Sequence, residues 1–308
     1  MQKTTARNRR FFWPLLVIAL GAVALAQALA VFPPTVADLI NRAWPIVMVI
    51  VGLTLLLGQA GPLGRFAPLI AVMVSAIVLG VTVVVAYSTR AATERTDNVV
   101  RVSQPLEAPV SLLRVVVRSL DTTVEISPRV PDDQTLITAE FIGSAESVIT
   151  TDFTTDSEGV ATFSLAETRP SAIPALETIG RGRLRIELPL GVPIALDFTN
   201  GSGTVSLNLL GLQVARLDVI MQEGDLLLSL PRGSFERPGE VYLARGDASV
   251  FVPDDIGLAV MANGKTPRFA EGEYLFDPSS GAYLSRRFDD YDRQITLNLN
   301  IGGVIDLQ

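Results

Sequence analysis

The chain has 308 residues, of which 48% are hydrophobic and 19% charged, a balance more apolar than that of an ordinary soluble domain. It contains no cysteine and no histidine, which excludes disulfides, thiol nucleophiles, Cys or His metal sites and imidazole acid–base catalysis. The net charge of −7 divides into +5 for residues 1–97 and −12 for residues 98–308, and so acidic a C-terminal part argues against binding to nucleic acid.

Three apolar stretches predict a helical transmembrane region over residues 1–97. They cover about residues 11–32, 43–60 and 66–87. Each stretch, as a helix, is long enough to cross a hydrocarbon core of roughly 30 Å. Aromatic residues that suit the headgroup layer lie at the ends of these stretches: Trp13, Trp44 and Tyr87. The lipid bilayer is therefore an expected partner.

The first two stretches repeat each other, because Trp13-Pro14 and Trp44-Pro45 begin similar apolar runs at an offset of 31 residues. Basic residues before the first stretch predict a cytoplasmic N-terminus, and three crossings then place residues 98–308 outside. Two or four crossings would reverse that side. A signal peptide cleaved after Ala28-Leu29-Ala30 would leave the C-terminal part outside in either case.

Residues 98–109 are predicted as a linker, and residues 110–308 as an all-β domain with an internal repeat. The repeat is visible in GRLRIELP (182–189), GTVSLNLL (203–210), GDLLLSLP (224–231) and GDASVFVP (246–253), spaced by 21, 21 and 22 residues. Glycine before each strand supplies a positive φ at a corner. A strand-length unit repeated every ~21 residues predicts a β-solenoid, or a solenoid-like sandwich, with about two strands per coil. The predicted fold class is thus a three-span helical bundle followed by this β domain.

Two further segments resemble the repeat less closely. TVEISP (123–128) and TLNLNIGGVIDL (296–307) are predicted to be degenerate outer copies, since terminal repeats are atypical. Residues 129–181 fit the period worst and are predicted to form an irregular rung with a loop.

Candidate site residues are few. Arg181, Arg183 and Arg185 alternate along one strand, so they share a face that would suit an anionic ligand or an acidic strip of a partner. The alternative is a solvated sheet face or a guard against edge pairing. The tripeptide Arg245-Gly246-Asp247 is in phase with the repeat and is interpreted as one of its corners. No pattern of catalytic, cofactor-binding or metal-ligating residues is found, so we expect a protein that is not an enzyme and has no cofactor.

The Trp-Pro-apolar-Gly segments FWPLLVIALG and AWPIVMVIVG resemble the LiaI/LiaF-like bacterial transmembrane region. The rungs GTVSLNLL, GDLLLSLP and GDASVFVP are similar to the putative-adhesin and LiaF C-terminal β domains. The resemblance implies a multi-pass protein of the bacterial cytoplasmic membrane that modulates envelope-stress signalling by contacting a membrane sensor kinase or another envelope protein. The LiaF-like arrangement usually has four spans, whereas three are predicted in this chain.

Two functions follow as hypotheses. The first is a non-enzymatic modulator or sensor of envelope stress that acts through protein contacts. The alternative is an adhesin-like structural or surface-binding protein with an external β-solenoid.

Overall fold

The structure is a computed structural model that describes residues 93–106, 109–129, 136–170, 180–263 and 265–308, together with Met73 and Val84. Its elements are seventeen β-strands and one 3₁₀ turn, Phe288–Asp290, within these ranges. All the strands lie in one compact unit, formed by Thr93–Pro170 and Gly180–Gln308.

The strands form two facing layers, which we call sheet 1 and sheet 2. Sheet 1 contains, in spatial order, β4 (Val148–Thr155), β5 (Val160–Thr168), the first half of β2 (Leu112–Pro128), β7 (Pro193–Ser202), β9 (Gln213–Glu223), β11 (Gly239–Arg245), β16 (Gln294–Ile301), β13 (Gly257–Ala262), β15 (Ala282–Ser285) and β14 (Tyr274–Asp277). Sheet 2 contains β1 (Asn98–Pro105), β3 (Leu136–Gly143), β6 (Gly182–Leu188), the second half of β2, β8 (Val205–Asn208), β10 (Leu226–Ser229), β12 (Ala248–Phe251) and β17 (Ile305–Leu307).

The central strands build a β-solenoid. Each coil passes through sheet 1, turns a corner and continues through sheet 2, as in the pairs β7–β8, β9–β10, β11–β12 and β16–β17 and in the two halves of β2. The coils stack in parallel, whereas the strands at the ends are antiparallel: β1, β3 and β4 at one end, β14 and β15 at the other. Antiparallel strands therefore close one end of the parallel stack in both sheets and the other end in sheet 1, as caps do in other repeat proteins.

The core lies between the two sheets, because alternate residues of every strand point inward. In sheet 1 one inward ladder runs across five strands: Val117, Phe198, Val219, Val241 and Leu299. In sheet 2 a facing set consists of Ile126, Leu207, Leu228, Val250 and Leu307. All are buried, so residues distant in the sequence share one continuous apolar core.

Glycines form the corner between the sheets in successive coils. Gly203, Gly224 and Gly246 have φ values of +124°, +124° and +130°, which L side chains rarely adopt. The predicted positive φ is confirmed at these three positions. The coils also approach closely here, because a Cβ on Gly224 would overlap the carbonyl oxygen of Gly203, and one on Gly246 would overlap that of Gly224.

The coil order differs from the order of the repeat in the sequence. GRLRIELP forms β6, but the second half of β2 separates it from β8, so TVEISP is an inner rung and not an outer copy. Between β2 and β7, β3 and β4 form antiparallel pairs at one end of the stack, whereas β5 and β6 pair in parallel with the two halves of β2. The segment 296–307 does extend the stack, since β16 and β17 pair with β11 and β12. Asn98–Pro105, which falls in the predicted linker, forms β1 and pairs with β3.

The predicted fold class, with its helical transmembrane bundle, is wrong for the described chain, which is a β protein. Within the described ranges, no helix has the length and apolar character needed to cross a membrane. The predicted spans 11–32, 43–60 and 66–87 lie outside the described residues, except for Met73 and Val84. The predicted interface anchors Trp13, Trp44 and Tyr87 lie outside them as well.

Candidate functional site: a polar groove on sheet 1

The arginine row predicted as an interaction face is divided by the fold. Arg183 and Arg185 lie on the outer face of β6 and are exposed, whereas Arg181 precedes the strand and is half-buried. Arg185 stands between Glu140 and Glu125 in the strand register, and its Nη2 lies 3.7 Å from Oε1 of Glu125. Arg185 is thus flanked by carboxylates, and the role of the row in binding stays a prediction.

The tripeptide Arg245-Gly246-Asp247 occupies a corner of the solenoid, as its phase in the repeat predicts. Gly246 is one of the stacked corner glycines, and Oδ1 of Asp247 accepts a hydrogen bond from the backbone N–H of Val304 at 2.7 Å. The carboxylate therefore ties two coils together.

A buried polar cluster lies at the corner between the two halves of β2, which we call the first corner. At this corner Thr122 occupies the position that Gly203 has in the next coil. The side chain of Glu167 is only 1% exposed. It accepts hydrogen bonds from the backbone N–H of Leu120 at 2.9 Å, from Thr122 Oγ1 at 2.6 Å and from Ser147 Oγ at 2.7 Å. Because a buried carboxylate is costly unless its oxygens are satisfied, these three donors give Glu167 a structural role at the corner.

A groove of about 800 Å³ lies on the outer face of sheet 1. It crosses the strands β7, β9, β11, β16 and β13, so it runs along the solenoid axis. Two parallel ladders of outward side chains line it. The first, which we call the polar ladder, consists of Asp197, Asp218, Glu240 and Asn298. The second, which we call the mixed ladder, consists of Ile220, Tyr242 and Asn300.

Two arginines compensate the central carboxylate of the polar ladder. Nε of Arg216 lies 2.5 Å from Oδ2 of Asp218, and Nη2 of Arg237 lies 2.9 and 2.7 Å from the two oxygens of Asp218. One strand further, Nδ2 of Asn298 donates to Oε1 of Glu240 at 2.7 Å. Hydrogen bonds to ionised partners are stronger than neutral ones, so these pairs hold the floor of the groove in one arrangement.

The mixed ladder places apolar surface beside these polar groups. Ile220 is 44% exposed and Tyr242 is 41% exposed, although both belong to well-paired central strands. Asn300 and Asn263 continue the lining beyond them, and both are exposed. An exposed aromatic ring on a rigid strand, flanked by fixed polar groups, is an arrangement suited to binding.

Sequence reasoning did not identify this groove. The sequence nevertheless contains a pattern that indicates the groove: an acidic residue lies six positions before each of three corner glycines. The pairs are Asp197 and Gly203, Asp218 and Gly224, and Glu240 and Gly246. The strand pairings put these equivalent positions in register, which makes the recurring acid a continuous ladder. In the described ranges, no group of three or more Asp or Glu residues has an arrangement that would hold a metal ion. The expectations that the chain has no cofactor and is not an enzyme stay predictions.

The fold and the groove together define a β-solenoid with a groove along one of its sheets. No family model matches the chain. No curated protein matches it either. The β-solenoid is similar to the crystal structure of a putative cell adhesion protein from Clostridium sporogenes, with a TM-score of 0.50 and 16% sequence identity over 68% of this chain and 99% of that one. At this identity the likeness shows the fold alone. None of these comparisons supports the LiaI/LiaF-like family.

Proposed function

We propose that the chain is an adhesin-like, non-enzymatic surface-binding protein, and that the groove on sheet 1 is its contact surface. The observation that carries this proposal is the pairing of a compensated polar ladder with the exposed mixed ladder on rigid, stacked strands. The similarity in fold to a protein described as a putative cell adhesion protein adds support. In this proposal the solenoid lies outside the cytoplasm, where surface polymers are accessible.

A solenoid suits this role for a physical reason. Each coil repeats the same backbone, so outward side chains at equivalent positions form straight rows. Within a row, neighbouring residues are about 4.8 Å apart. Rows of this kind offer an extended, preorganised surface, and preorganisation lowers the entropic cost of binding. Modulation of envelope-stress signalling through a sensor kinase, the first hypothesis from the sequence, has no observation in its favour and stays a prediction.

The test is the binding of the full-length chain to isolated bacterial envelopes, measured by co-sedimentation. Tyr242→Ala removes the aromatic ring from the groove, and Phe251→Ala is its matched control, since Phe251 is an aromatic residue 49% exposed on the opposite sheet. We expect binding by the parent chain, a loss of about tenfold in affinity for Tyr242→Ala and no change for Phe251→Ala.

Two outcomes would refute the proposal. If the parent chain does not bind to the envelopes, the proposed surface-binding function is wrong. Equal binding by the parent chain and Tyr242→Ala would show that the groove is not the contact surface.

A further inference from the structure

We infer that the groove binds an uncharged polysaccharide chain that lies along the solenoid axis, an inference that rests on the proposed function and names its ligand class. The two ladders run side by side across successive strands, the polar ladder from β7 to β16 and the mixed ladder from β9 to β16. A ligand that contacts the full length of the two ladders must therefore follow the axis of the stack and cross the strands.

The first step of the argument is the matching of surfaces. A sugar ring presents apolar C–H groups on its faces and hydroxyl groups around its edge. The groove offers the same division, with the exposed parts of Ile220 and Tyr242 in one row and carboxylates, amides and guanidinium groups in the next. A sugar stacked on Tyr242 would direct its hydroxyls toward the polar ladder.

The second step concerns charge. Asp218 is compensated by Arg216 and Arg237, and Glu240 is hydrogen-bonded by Asn298. The ionisable side chains that line the groove are three acids and two arginines, so the lining carries a net charge of −1. The surrounding residues 98–308 carry −12. This field repels an anionic polymer. Asp218 and Glu240 are already paired, so Asp197 alone among the lining carboxylates is left for a cationic peptide, and the lining suits an uncharged hydrophilic chain better.

The third step concerns hydrogen bonding. A hydroxyl group both donates and accepts, so a surface that binds several of them needs donors and acceptors close together. Each guanidinium group has five N–H donors, of which the bonds to Asp218 use only part. The exposed amides of Asn300 and Asn263 supply both kinds of group, and the half-buried carboxylate of Asp197 supplies acceptors.

The fourth step gives a length. The strands from β7 to β16 are separated by three inter-strand spacings, or about 14 Å. A chain shorter than this contacts only part of the two ladders. Affinity should therefore rise with oligosaccharide length and become constant once the oligosaccharide spans the groove.

The experiment titrates the full-length chain with neutral oligosaccharides of the glucan, mannan and N-acetylglucosamine series, from disaccharides to octasaccharides, by isothermal calorimetry. Polygalacturonate is the anionic probe. We expect at least one neutral series to bind with the length dependence just described and polygalacturonate not to bind. We expect Tyr242→Ala to weaken binding about tenfold, Tyr242→Phe to restore it because the stacking face remains, and Phe251→Ala to leave it unchanged.

The outcomes separate this inference from the proposed function. If only polygalacturonate binds, or if affinity is independent of length, the inference is overturned. Envelopes that bind in a Tyr242-dependent manner but lose this binding after protease treatment would identify a protein as the occupant. In that case the proposed surface-binding function is supported, and the inference that the ligand is a polysaccharide is wrong. A chain that binds no envelope at all overturns both.

Discussion

The stacking of the corner glycines makes a quantitative prediction for Gly224→Ala. At φ +124° an L side chain is strained, which costs about 1–3 kcal/mol. The new Cβ would also overlap the carbonyl oxygen of Gly203 and lie 2.7 Å from its carbonyl carbon, and both are backbone atoms of the preceding coil.

Relief of that overlap requires the two coils to separate. They are joined at this corner by hydrogen bonds, among them Gly203 N–H to the Glu223 carbonyl at 3.1 Å and Val205 N–H to the Asp225 carbonyl at 2.9 Å. Overpacking of this kind costs about 1–3 kcal/mol. We therefore expect Gly224→Ala to lower the free energy of unfolding by about 4 kcal/mol.

Gly211→Ala is the matched control. Gly211 also has a positive φ, +85°, but the nearest atom to a Cβ there is Cδ2 of Leu190 at 3.8 Å, so only the backbone strain of about 1–2 kcal/mol applies. Urea denaturation of the full-length variants, followed by circular dichroism, measures both losses from the midpoint at constant m value. Equal losses in the two variants would show that the coils do not meet at Gly224 as closely as the structure describes.

Three other predictions concern ionisable groups. Glu167→Gln should lower the free energy of unfolding, measured by urea denaturation, by about 2–3 kcal/mol, because the new amide nitrogen must face hydrogen-bond donors that now bind a carboxylate. Its control is Glu140→Gln, which breaks an exposed ion pair with Arg101 and should lower the free energy of unfolding by less than about 1 kcal/mol. Burial raises the pKa of Tyr274 from 10.0 to about 12, so its contribution to stability is complete below pH 10 and is lost as the pH rises toward 12; ultraviolet titration should show a late-ionising phenol that Tyr274→Phe removes. Hydrogen bonds from Ser280 and Ser279 lower the pKa of Asp277 from 3.8 to about 2. The turn that these residues form is therefore stabilised above pH 3.8 and loses this stabilisation as the pH falls toward 2. An NMR titration of the carboxyl chemical shifts would measure the pKa of Asp277.

Part of the site could have been derived from the sequence. Once Gly203, Gly224 and Gly246 are taken as equivalent corners, the acids six residues before them must share one row, and Ile220 and Tyr242, four residues before, must share the next. What this alignment does not supply is the position of Arg237, which lies outside the strands and reaches Asp218 through the fold of its loop.

The order of the coils was beyond the sequence pattern for a different reason. Val124 and Val205 are neighbours in sheet 2 although 81 residues separate them, while Val205 and Leu226 are neighbours at a separation of 21. A periodic pattern predicts contacts at its own period. It carries no information on where a long insertion leaves the stack and returns to it.

The sequence by itself determined the local character of the solenoid: strands from alternating apolar residues, corners from glycines and a coil of about 21 residues. These features follow from steric rules that act over a few residues, so short segments of the sequence are enough to predict them. Only the tertiary structure decided that TVEISP lies inside the stack, that Glu167 closes the first corner and that two ladders form a groove with compensated charge. Each of these depends on side chains brought together by stacking from distant coils, and the register that aligns them exists only when all the coils pack on one core.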